Sequence, residues 1–117
     1  MSQHASLSPE RWSSFSREQQ ILMIGNEMNR GSYLLGLGDL PGLLLVYERV
    51  LRLVDLTVEV QTAHGLRREL LRWRDLIAEL FISPELHLED HRAAFRALLL
   101  MTPTSAEQIP YVLPEAG

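Results

Sequence analysis

The sequence has no cysteine and no lysine; all 11 of its basic residues are arginine. Without thiols there are no disulfides, thiolate zinc sites, iron–sulfur clusters or cysteine nucleophiles. Without lysine there is no Schiff base, no P-loop ammonium and no lysine general base. Also missing is any apolar run near the roughly 20 residues that span a bilayer, because charges interrupt every leucine-rich segment. The opening stretch "MSQHASLSPERW" lacks the charged start and apolar core of a secretion signal. The chain therefore reads as a soluble cytoplasmic protein with no membrane association. A net charge of −4 argues against a protein that envelops nucleic acid.

What is present is helical. With 46% of 117 residues hydrophobic, the chain fits a single helical-bundle domain over 1–117 that buries its core without staples. The dominance of leucine and arginine over isoleucine and lysine points to a GC-rich bacterial genome. Ser8 and Pro9 supply an N-cap and a first-position proline for a short lead-in helix within 1–15. Ser16 and Gln19 form a capping box, and Ile21, Ile24, Met28, Ser32 and Leu35 then recur at helical intervals, predicting a helix over 17–37. Gly25, Ser32 and Gly36 share one face of it, where small residues admit a neighbouring helix. Gly38 is placed to be its left-handed cap and Asp39 to be the N-cap of the next helix, with Pro41 in the first turn.

That second helix, over 40–63 and capped by Gly65, is apolar around most of its circumference, which predicts a central position. A third helix over 66–82 turns Leu66, Leu70, Trp73, Ile77 and Leu80 inward. A fourth, started by Ser83-Pro84-Glu85, covers 85–101 with Leu88, Phe95, Leu98 and Leu99 inward. The Pro-rich tail over 102–117 holds one turn from a Thr104–Glu107 capping box and otherwise reads as an extended strap or a loose end. No segment alternates as a strand does, so the fold class is all-α: an antiparallel bundle of about four main helices.

Three stretches invite a chemical reading. Gly36-Leu37-Gly38 suggests a nucleotide loop, but phosphate cradles follow a strand and the P-loop needs the lysine this chain lacks. In "HLEDH", His87 and His91 stand four apart with Asp90 beside them, loosely like an inverted zincin motif. That motif has glutamate where Asp90 stands and needs a distant third ligand, for which only Glu107 and Glu115 remain, so no metal or other cofactor is expected. A buried di-metal bundle needs Glu-x-x-His on two helices, which the second and third helices do not supply. Arg67, Arg68, Arg72 and Arg74 surround Trp73 as the one basic cluster. A base-stacking aromatic must be exposed, whereas Trp73 falls on the apolar stripe with Leu70 and Ile77, so the cluster reads as a solvated mixed-charge face.

Two family resemblances attach to these residues. Gly31, Gly38-Asp39, Tyr47 and Val50-Leu51 fall at spacings that resemble one tetratricopeptide hairpin over 27–55. Leu43 and Val50 take positions that the family gives to alanine, Arg30 one that it gives to leucine, and no second unit follows at the repeat period. Arg74 to Phe81 is similar to the signature of HEPN ribonuclease and toxin bundles, with Glu79 where the family has histidine. That resemblance implies an arginine and a histidine acting on RNA across a dimer cleft; a carboxylate at the second position cannot do imidazole chemistry and repels phosphate.

The leading expectation is a non-enzymatic helical protein-interaction module, whether adaptor, chaperone-like factor or homodimeric scaffold, that binds a protein partner or itself. The second helix carries more apolar surface than a solitary small bundle covers, which nominates Leu45, Leu53, Leu56 and Val60 as the docking surface. The alternatives are a degenerate HEPN-like bundle tied to RNA or to a nucleotidyltransferase partner through Arg67, Arg68, Arg72 and Arg74, and a metal-dependent enzyme built on His87 and His91.

Overall fold

Caps and apolar spacing place seven helical segments along the chain in the computed structural model, which describes residues 7–115. They are α1 (Pro9–Ser13), α2 (Arg17–Gly36), α3 (Leu40–Val60), α4 (His64–Ile82), α5 (Leu88–Leu99), α6 (Pro103–Ala106) and α7 (Ile109–Val112). There is no strand among the described residues. Short connections make the four long helices run antiparallel, and they close a ring: α2 packs on α3, α3 on α4, α4 on α5, and α5 returns to α2. The small helix α1 lies across α3. α3 is thus covered from three sides, as its nearly all-round apolar surface demands; Leu43, Val46, Tyr47, Val50, Leu53 and Val54 are fully buried.

The corner between α2 and α3 shows how little sequence a turn needs. The amides of Gly38 and Asp39 bond back to the carbonyls of Leu35 (3.0 Å) and Leu34 (2.9 Å), a double closure that requires a left-handed residue between them. Gly38 supplies it with φ of 74°. Asp39 then accepts from the Gly42 amide at 3.0 Å and starts α3. Gly38→Ala is expected to lower stability by about 1–2 kcal/mol, the cost of a Cβ in the left-handed region, read as a shift in the urea midpoint at unchanged slope. An unchanged midpoint would show that the corner does not depend on that conformation.

Several boundaries differ from those expected, most of them by one to three residues. α3 stops at Val60, because Gln61 turns extended and sends its side-chain N–H to Gln20 Oε1 at 2.8 Å. Gly65 caps nothing; it lies in the first turn of α4. Ser83 is the residue that ends α4, and its hydroxyl bonds the Glu85 carbonyl, so α5 begins only at Leu88. The tail, as far as it is described, is no strap. Thr102 rather than Thr104 caps α6 by accepting from the Ser105 amide at 3.1 Å, and Leu113 reaches the core. The small-residue face also divides: Gly25 meets Leu99 and Phe95 of α5, while Gly36 faces no neighbour.

Beneath α1 runs a buried polar seam. Gln20 donates to the carbonyls of Trp12 (3.0 Å) and Phe15 (3.2 Å), capping the C-terminal end of α1 from α2. Since its oxygen accepts from Gln61, all three groups are satisfied.

Candidate functional site

Leucine on the outer flank of α4 and alanine opposite it on α5 leave a groove of about 420 Å³ between the two helices. Its walls are Trp73, Leu76, Ala97, Leu100 and Met101, with Glu69 and Arg72 at the lip. Leu76 lies one turn from Trp73 and Arg72, so the three share one flank of α4. Leu100 closes α5 as its C-cap and stays 57% exposed, a large apolar side chain offered to solvent. The floor is fixed: the Trp73 indole N–H donates to the Ala94 carbonyl at 2.8 Å, which satisfies its one polar atom and leaves the ring as apolar wall. A second hollow of about 250 Å³, bordered by Arg17, Leu66 and Pro103, shares Glu69 and Met101 with the first.

The surface nominated on α3 is not assembled. Leu53 is fully buried and has nothing to offer a partner, while Leu56 and Val60 are partly buried against the core. Only Leu45 is exposed. The excess leucine of α3 is absorbed by α1, α2 and α4. Among the arginines, Arg67, Arg68 and Arg72 are exposed, whereas Arg74 reaches back to α3 and holds the Asp55 carboxylate at 2.6 Å and 3.3 Å. That bidentate pair raises the guanidinium pKa, with the hydrogen bond to Asp55 the largest cause. Trp73 lies buried between them and presents no face for stacking.

The two histidines are separated by environment. His87 is exposed at the N-cap of α5 beside Glu85, 3.6 Å away. His91, one turn later, is 1% exposed and spends both ring nitrogens on structure: Nδ1 lies 2.7 Å from the Tyr47 hydroxyl and Nε2 2.8 Å from the Met28 carbonyl. A carbonyl only accepts, so Nε2 carries the hydrogen and Nδ1 accepts from Tyr47. Neither nitrogen is left for a metal, and the pair does not form a ligand set. The ring fits because Gly31 on α2 has no side chain to meet it. Sequence reading took Gly31 only as part of a repeat spacing; a polar residue interrupting the inward stripe of α5 was the signal for His91.

Burial pushes the His91 pKa below its ordinary value near 6.5, opposed by the bond to Met28 and assisted by the charge of Arg92. In the unfolded chain the imidazole recovers its ordinary value, so between the two values the unfolded state binds the extra proton. Stability is therefore full above about pH 6.5 and falls as pH drops from there toward the depressed folded value. The melting temperature is expected to decline from pH 7.5 to pH 5.5 more steeply in the native protein than in His91→Gln. Parallel slopes would remove His91 as the cause.

With this geometry described, no family model, no curated protein and no solved structure matches the chain.

Proposed function

We propose that this chain is a small non-enzymatic helical module that works by binding another polypeptide at the groove between α4 and α5. The observation that carries the reading is the groove itself: Leu76 and Leu100 stand exposed above a floor of Trp73, with charge only at the lip. Paired apolar side chains over an anchored aromatic, rimmed by Glu69 and Arg72, match the composition of a docking surface with an apolar centre and a polar edge. The buried polar groups serve cohesion instead: His91, Tyr47, Gln20 and Ser105 each have hydrogen-bond partners inside the fold.

The test is a photo-activatable residue in place of Leu100, with Tyr33→photo-residue at the far end of α2 as a control. Irradiation in the host is expected to give a discrete polypeptide adduct from position 100 and none from position 33. Random labelling at both positions, or no adduct from position 100, would sink the reading.

A further inference from the structure

Helix α4 carries its charges in the wrong order for its own dipole. Arg67, Arg68 and Arg72 outweigh Glu69 in its N-terminal half, and Asp75 and Glu79 outweigh Arg74, itself turned to Asp55, in its C-terminal half; no acid stands in the first turn and no base in the last. Its N-cap, Ala63, makes no side-chain bond. The neighbouring α5 does the opposite, with Glu89 and Asp90 in the first turn and Arg96 in the last, as the dipole favours. Among the described residues no ion pair engages Arg68, Arg72 or Glu79, Asp75 interacts only with the field of its chain neighbour Arg74, and all four are exposed. Their spacing places them on one outward face of α4, beside the groove.

We infer that the polypeptide received at this face is a second copy of this chain, docked with its α4 antiparallel to the first about a two-fold axis. The inference rests on the interaction reading above and identifies its partner. With the axis midway between Trp73 and Arg74, Arg68 of one copy lies level with Glu79 of the other, and Arg72 with Asp75. The symmetry repeats both pairs, so the basic half of each helix meets the acidic half of its mate. The same antiparallel placement sets the end of one helix dipole against the opposite end of the other, which offsets the order of charge that an isolated α4 disfavours. Because a two-fold axis keeps like flanks on one side, the Leu76 and Leu100 lips of the two grooves lie together, giving the charged stripe an apolar border.

The experiment is a charge swap in the full chain, read by light scattering and sedimentation. One variant, Arg68→Glu with Arg72→Glu, makes the stripe wholly acidic; the other, Asp75→Arg with Glu79→Arg, makes it wholly basic. Both move α4 toward the order its dipole favours, so each variant monomer is expected to be no less stable than the native monomer when all are melted at a concentration too low for association. The native protein is expected to be a dimer whose dissociation constant rises with salt. Each variant alone is expected to dissociate about 100-fold more readily, as four repulsive contacts replace four attractive ones. Mixed, the two are expected to form a one-to-one heterodimer, which only mutual recognition of two α4 faces predicts. A monomeric native chain, variants as dimeric as the native chain, or a mixture that stays monomeric would overturn the inference. Failure of the underlying reading is separate: a Leu100 photo-adduct to a different chain alone overturns the second copy and keeps the docking groove, whereas no adduct at all overturns both.

Discussion

Trp12→Ala is expected to remove about 3–5 kcal/mol of stability, the range for deleting a buried aromatic. Trp12 is fully buried although it sits on a helix of only five residues, α1, which is far too short to hold itself together in water. Three things fix it. Its ring stacks edge-on against Phe15 with centroids 5.8 Å apart. Its indole N–H donates to the Thr57 hydroxyl on α3 at 2.9 Å. That hydroxyl is itself aimed, because it donates to the Leu53 carbonyl at 2.8 Å and so turns a lone pair toward the indole. Trp12→Phe keeps most of the bulk and loses only the bond, so its cost is expected near 1–2 kcal/mol. Urea denaturation separates two routes: a lower midpoint at constant slope means the core is weakened as a whole, and a smaller slope means α1 has detached. A loss below about 1 kcal/mol for the alanine variant would show that α1 does not contribute to the core.

Gly31→Ala is expected to be destabilising by about 2–3 kcal/mol, against the ordinary gain of roughly 1 kcal/mol for that exchange inside a helix. A Cβ at residue 31 would stand 2.8 Å from Cε1 of His91 and 3.2 Å from a methyl of Leu43. Both neighbours are buried, and His91 cannot swing aside without giving up Tyr47 and Met28. Gly36→Ala, five residues along the same helix, is the internal comparison. Nothing lies within 4 Å of the Cβ it would add, so a gain of up to about 1 kcal/mol is expected. Equal signs for the two variants, measured in the same urea series, would refute the account of His91 as a ring pressed on bare backbone.

Much of the fold was legible in the sequence, for reasons that differ by element. Apolar recurrence placed the four long helices, and α2 and the α2–α3 corner obeyed their local chemistry: the Ser16–Gln19 box forms in both directions, at 3.1 Å and 2.9 Å, and Gly38 and Asp39 act where their types belong. Where the expectations failed, a distant partner outbid a local signal. Gln61 left α3 early for Gln20, while at Ser83 two local signals competed, and bonds to the Leu80 and Glu85 carbonyls ended α4 where a helix start was expected. The tail folded because Ser105 finds the Leu99 carbonyl at 2.7 Å and Arg92 the Pro114 carbonyl at 3.0 Å, contacts no local pattern encodes. The candidate surface was misplaced for a related reason. Leucine counts on α3 measure demand for cover, and without topology they do not reveal that α1 lies across the same helix as α2 and α4. The residues that line the groove were visible only as members of an amphipathic helix, since their exposure is set by the small Ala97 opposite them.

The two indoles of the chain occupy unlike settings, one sealed beneath α1 and the other flooring the groove. The molecule is therefore a two-channel fluorophore. Emission from Trp12 is expected to report whether the lead-in helix is docked, while Trp73, 4% exposed where it lines the groove, is expected to respond to what covers it. With Trp12 exchanged for phenylalanine, occupancy of the groove can be titrated optically without attaching a label.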